Sequence, residues 1–246
     1  MSRYRAFAIH LAISGTIFVV LLALILLRWY PVPYFAYDGG WRGIRIVAGV
    51  DLVLGPLLTL IVFRAGKRGL KLDLTLIGLL QAAALAYGVT QVYRERTALV
   101  VFFNHAFYTV AGSQIPTAGP RAAFWARQGK PPVYVMVPIP TDKKANYAMW
   151  TSVFHGQPPP YLQGQRYVAF QPQQALSSGL NLAPLLAKRP QARRRMAAFL
   201  HGRPATRFAF VPLDCRFKRL FLAIDRKTGR IAGAVDINPY PLFNVY

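Results

Sequence analysis

The chain has 246 residues, of which 54% are hydrophobic and only 15% charged, with 30 Lys and Arg against 8 Asp and Glu for a formal net charge of +22. Mean hydropathy is +0.29, a balance that excludes an ordinary soluble protein and a disordered polar one. One cysteine, Cys215, excludes an internal disulfide in any compartment.

Residues 6–27 form the first apolar run, entered through Arg3 and Arg5. At 22 residues it exceeds a signal-peptide core, and its exit, Arg28-Trp29-Tyr30-Pro31-Val32-Pro33-Tyr34, has no small-residue cleavage pattern, so it reads as a retained anchor with an aromatic interfacial end. The second run, 44–63, carries Asp51 and Pro56 inside a stretch of bilayer-crossing length. An intramembrane carboxylate is expensive and usually faces protein or water. A third run covers 74–93. The expected organisation is therefore a three-helix transmembrane module over 1–93 and a soluble domain over 94–246.

The loop between the second and third runs holds Arg64, Lys67, Arg68 and Lys71, whereas the first loop holds Arg28 and Arg42. Basic residues accumulate on the cytoplasmic side. The N-terminus is then cytoplasmic and the C-terminal domain lies outside, in the periplasm of a Gram-negative cell. That topology argues against nucleic acid as the partner of this basic chain.

Spacings of three, four and four align Ala48, Asp51, Gly55 and Thr59 along one side of the second helix. A comparable stripe on the third contains Gly78, Gln81, Ala82, Leu85 and Gly88. Counting about 1.5 Å per residue puts His10, Ser14, Thr59 and Gln81 in the cytoplasmic half and Asp51 in the outer half. Two readings of Asp51 stay open: satisfaction by hydroxyl or backbone groups within the bundle, including the Leu52 carbonyl freed by Pro56, or a polar docking position for a partner's helix. No chain of acids or histidines supports a proton relay.

The soluble part reads as α+β with antiparallel strands. Residues 98–110 look like two short strands about an Asn104-His105 turn. A proline-rich middle follows, with 133–137 as a candidate strand. LAPLLAKRPQARRRMAAFL reads as a helix interrupted at Pro190, and its Lys188, Arg189, Arg193, Arg194 and Arg195 form a basic surface, either simply solvated or facing anionic lipid or an acidic protein. Residues 220–224 and 231–237 make a hairpin closed by Asp225-Arg226-Lys227-Thr228-Gly229.

No G-x-S-x-G elbow, H-E-x-x-H pair or phosphate-binding loop is present. His105, His155 and His201 with Asp142, Asp214, Asp225 and Asp236 leave a spatially assembled hydrolase-like site as one alternative function, and an envelope sensor as another. No catalytic, cofactor-binding or metal-binding residue is assigned.

Together, Trp29-Tyr30-Pro31, Tyr34-Phe35, Gly39-Gly40-Trp41, the run Val50-Asp51-Leu52-Val53-Leu54-Gly55-Pro56-Leu57-Leu58-Thr59-Leu60, Leu72-Asp73, Gln81, Tyr87-Gly88, the 225–229 turn and Asn238-Pro239 resemble the TfpX/TfpZ family of type IV pilin accessory proteins. The similarity is dense through residue 110 and sparse from 115 to 200. It departs at Asn104-His105, where the family pattern carries an acidic residue. The resemblance implies a non-enzymatic inner-membrane accessory protein or chaperone without cofactors, whose partners are a cognate major type IV pilin, membrane lipid and the pilus assembly machinery. Asp51, Gly55, Pro56, Thr59, Gln81 and Gly88 are the expected partner-binding positions.

Overall fold

The computed structural model describes residues 2–30 and 33–239, so Pro31 of the first aromatic motif lies outside the described residues. The chain divides into two compact units, Met1–Arg96 and Thr97–Tyr246. In the first, three helices are long and apolar enough to cross a membrane: α1 (Arg3–Trp29), α2 (Gly40–Val62) and α3 (Leu70–Arg94). All three begin before the apolar windows 6–27, 44–63 and 74–93, and α2 stops at Val62, inside its window, because a helix ends where its backbone finds another partner or conformation, not where hydrophobicity ends. At the start of α1, Ser2 Oγ accepts from the Arg5 N–H. Gly39 and Gly69, both at positive φ, precede α2 and α3.

Helix α2 packs against both α1 and α3. Its middle is not α-helical: Gly49–Leu54 form a π turn between the α segments Gly40–Ala48 and Gly55–Val62. Pro56 explains the position. A helical proline lacks an N–H and crowds the carbonyl four residues back, here that of Leu52, and the wider turn just before it relieves that crowding, with the Gly55 N–H reaching back to the Val50 carbonyl. Near the other end of the bundle, Ile25, Tyr30, Phe35, Ile44 and Val92 form a small core. The Tyr30 hydroxyl donates to the Val92 carbonyl at 3.4 Å. Outside, Ile9, Ile13, Val19, Val20, Ile46, Val53, Ile61, Leu76, Leu79 and Leu80 are exposed.

The second unit is built on one seven-stranded sheet of order β4-β3-β1-β2-β5-β6-β7. Its strands are β1 (Thr97–Phe103), β2 (Ala106–Ala111), β3 (Val133–Met136), β4 (Val168–Ala169), β5 (Phe208–Asp214), β6 (Arg219–Asp225) and β7 (Ile231–Val235). The sheet is mixed, which corrects the expectation of antiparallel strands: β1 with β3 and β2 with β5 are parallel, and the other pairs antiparallel. Parallel neighbours need crossover connections. Helix α4 (Pro120–Ala126) lies in the connection from β2 to β3. Between β4 and β5 run α6 (Pro172–Ser177), α7 (Ala183–Lys188) and α8 (Pro190–Leu200). Hairpin signals were local and readable, whereas these crossovers join strands far apart in sequence.

The β1–β2 turn has Asn104 at φ 46° and His105 at φ 64°, the paired positive angles of a type I′ hairpin. Registers put Leu99, Val101, Phe103, Val110 and Val135 on one face, where they form a core with Ile115, Ala122, Met149 and Tyr167. On the same face of the other half, Phe208, Phe210, Phe221, Ala223 and Val235 pack with Ala192 and Met196 of α8. The opposite face carries Phe102 and Phe107 against Phe170. Gly179 lies against Ala209 on that side. Strand β5 pairs with β2 only at Leu213 and Asp214, just past Pro212, which has no N–H for a ladder.

Candidate functional site

The polar stripe on α2 faces inward. Asp51 is 4% exposed, and Gly55, Pro56 and Thr59 are buried with it. The Ser14 hydroxyl on α1 donates to Asp51 Oδ1 at 3.3 Å. From α3, the Gln81 amide donates at 3.3 Å both to Asp51 Oδ1 and to the Asp51 backbone carbonyl. About two turns further along α2 and one turn earlier on α1, His10 Nδ1 and Thr59 Oγ1 are 2.6 Å apart. Three helices are thus stitched by side chains from each. The second oxygen of Asp51, Oδ2, is buried without a hydrogen-bond partner.

Gly55 makes this seam possible. A Cβ built there would fall on the Gln81 amide, so the missing side chain is the space through which Gln81 reaches α2. Counting by rise separates Asp51 from Ser14 and Gln81, yet their side chains meet. A long amide crossing at a glycine, and a π turn that lowers the rise per residue, bring the two levels together. Gly88 also serves an internal contact, since a Cβ there would meet Val47 at 2.9 Å. All six expected partner-binding positions therefore sit at contacts inside the three-helix unit.

The α3 stripe needs a correction. Gly78 and Ala82 are exposed, whereas Ile77, Gln81, Ala84, Leu85 and Gly88 are partly buried along one side, closing at buried Val92. Small-residue spacing alone misled, because nothing lies within 4 Å of a Cβ at Gly78.

The basic surface is divided by Pro190. Lys188 ends α7, and Arg193, Arg194 and Arg195 are exposed on α8. Arg195 is engaged: it donates to the Asp236 carbonyl at 2.5 Å and approaches the Asp236 carboxylate at 3.2 Å, which Lys218 also contacts at 2.7 Å. Lys188, Arg189, Arg195 and Asp236 line an open cleft of about 590 Å³.

Most of the aspartates and histidines of this unit have a structural partner, although Asp214 Oδ1 and Asp236 Oδ1 are buried without a hydrogen-bond partner. Asp142 caps α5 (Lys143–Thr151), accepting from the Ala145 N–H at 2.8 Å. Asp225 accepts from Arg207 Nε at 2.7 Å and from the Lys227 and Thr228 N–H groups. These hydrogen bonds, Arg207's first, hold its carboxyl below the usual carboxylate range. Asp214 goes the other way, pushed up by burial and only partly offset by Arg219. His105 pairs with Ser178 at 2.9 Å, His155 bonds the Thr151 carbonyl, and His201 closes α8 in the left-handed region. Among the described residues, no group of three or more His, Cys, Asp or Glu is placed to hold a metal ion.

Comparison with known proteins adds the family. A family model described as fimbrial assembly protein FimB matches residues 1–39. The fimbrial assembly protein of serogroups C1 and C2 from Dichelobacter nodosus is 38% identical over 97 residues, 38% of this chain and 73% of that protein. Those of serogroup I and serogroup E1, from the same organism, are 38% and 37% identical over 97 residues, and there the chain spans 37% of the relative's length. No solved structure matches the chain. The similarity covers most of the serogroup C relative, and the chain belongs to the fimbrial assembly protein family, within the type IV pilin accessory and assembly proteins.

Proposed function

We propose that this protein is a non-enzymatic accessory factor of the bacterial inner membrane that binds a cognate major type IV pilin and promotes its assembly into pili. The observation that carries this reading is the family membership combined with an inside-out helix unit: polar groups meet at a central seam while the outer surface is apolar. Hydrocarbon solvates apolar side chains and leaves polar ones to find partners in protein. The N-terminus lies in the cytoplasm, by the charge of the 64–73 loop, and the sheet domain in the periplasm. Asp51, Gly55, Pro56, Thr59, Gln81 and Gly88 serve pilin recognition by holding the helices in the arrangement that the pilin's membrane segment meets. Asp51 Oδ2 keeps hydrogen-bonding capacity beyond the seam's internal bonds.

The test is a clean deletion followed by immunoblots of the neighbouring pilin in whole cells and in sheared surface material. Loss of surface pili with pilin retained in cells supports a role in assembly, and loss of both supports a stabilising chaperone. Unchanged levels in both fractions refute the reading. For the residues, Asp51→Ala and Gly55→Leu are expected to lower pilin co-purification and piliation; wild-type levels in both variants would remove the seam from the mechanism.

A further inference from the structure

The proline-rich middle of the sheet domain contains an element that the function above does not use. Helix α5 continues as a 3-10 turn, Ser152–His155. Asp142 fixes its start, directing its carboxylate to the Ala145 N–H. Met149 anchors it, fully buried in the core beneath. Ser152 reinforces the same side, donating to the Met149 carbonyl at 2.7 Å and accepting from the Gln163 amide at 3.1 Å.

Opposite this anchored side stands a strip of aromatic and basic residues. Lys143, Tyr147, Trp150 and Phe154 follow one another at helical spacing. Tyr147 is 72% exposed and Phe154 88%. Trp150 is held at its inner edge by Phe103, with ring centroids 5.3 Å apart, and remains exposed outside. Lys143 and Lys144, both exposed, lie at the strip's start. A folded domain seldom leaves three such rings in water without a use for them.

We infer that this strip is a bilayer-contact surface: Tyr147, Trp150 and Phe154 enter the headgroup region, and Lys143 and Lys144 pair with anionic lipid phosphates. The inference rests on the reading that the three apolar helices are inserted in a membrane. Composition favours lipid as the occupant, because a short amphipathic helix with lysines at its edge and Trp, Tyr and Phe on its outer face is what an interfacial segment requires. Charge complementarity adds to it, since anionic headgroups attract basic residues held close to them. Chain connection supplies proximity. Only Glu95 and Arg96 separate the end of α3 from the start of β1, so the domain stays beside the bilayer at high effective concentration.

The test uses the 246-residue chain in phosphatidylglycerol-containing nanodiscs, with an environment-sensitive fluorophore on a cysteine introduced singly by Phe154→Cys, Val20→Cys or Lys227→Cys. Buried Cys215 stays unlabelled. Nitroxide-bearing lipid is expected to quench positions 154 and 20 and to leave 227 unaffected, with quenching at 154 reduced by Lys143→Glu plus Lys144→Glu. Quenching at 20 with position 154 behaving like 227 would overturn the inference and leave the membrane reading standing. No quenching at 20 would remove both. Protection of 154 that appears only on adding pilin would make the strip a protein-docking surface and overturn the lipid assignment.

Discussion

Gly55→Ala isolates the seam in a single methyl group. The added Cβ falls on the Gln81 amide, the flexible end of a side chain, so the backbone stays and Gln81 swings away. What is lost is its pair of 3.3 Å bonds to Asp51, leaving Ser14 as the carboxylate's remaining partner. Interhelical hydrogen bonds in membranes average about 0.6 kcal/mol, and stripping a partner from a buried polar group costs about 1–3 kcal/mol, so the expected loss is about 1–2 kcal/mol. Alanine is also a better helix former than glycine by up to about 1 kcal/mol, which would mask part of that loss. Gly78→Ala supplies the reference, because its Cβ meets nothing. Equilibrium unfolding of the full chain in mixed micelles should place Gly55→Ala about 1–2 kcal/mol below Gly78→Ala, and the deficit should vanish in a Gln81→Ala background. Equal stability of the two alanine variants, or a deficit that persists without Gln81, would refute the reasoning.

The two perturbed aspartates of the sheet domain should respond to pH with opposite signs. Asp225 has a lowered folded value, so its stabilisation is full above the unfolded value of about 3.9 and disappears as pH falls through the folded one. Thermal melts should show Asp225→Asn less stable than wild type at neutral pH, with the gap closing in acid. Asp214 has a raised folded value and loses stability as pH rises through the range above about 4, so Asp214→Asn should melt higher than wild type at neutral pH and equal it in acid. Gly164→Ala drives a methyl into the Ala118 carbonyl and the Ala122 methyl and should cost about 1–3 kcal/mol. Gly129→Ala, where the nearest contact is 3.8 Å, should be near neutral in the same melts.

Short-range signals in the sequence were read correctly where one physical cause dominated. The Asn104-His105 and Asp225–Gly229 turns follow from local backbone angles, and Pro190 splits the basic helix as a proline without an N–H must. Asp51 was recognisable as expensive, but its partners Ser14 and Gln81 lie 37 and 30 residues away, and no periodicity within one helix reveals which turn of a neighbour it meets. The stripe on α3 failed for a related reason: Gly78 and Ala82 are small enough for a helix contact, but the rotation of α3 is set by Gln81, Gly88 and Val92 together. Parallel pairing escaped because register between β1 and β3, or β2 and β5, is decided by tertiary packing across long connections. The α5 strip stands in a stretch flanked by prolines that obscure it, although Lys143, Tyr147, Trp150 and Phe154 are at helical spacing in the sequence.

The π turn of α2 has a consequence for chain length. A turn closed by i→i+5 bonds holds about one residue more than an α turn, so the 6 residues Gly49–Leu54 absorb one extra residue and leave the α segments on either side in phase. Letting this turn close to α with every residue kept would rotate everything after it by about 100°, one α-helical step, and the Asp51–Ser14 and Thr59–His10 pairs could no longer face α1 together. Removing one residue while the turn closes to α would instead keep that phase, so the length of this stretch and the kind of turn it forms are set together, while an exposed apolar side chain such as Val53 is exchangeable in kind.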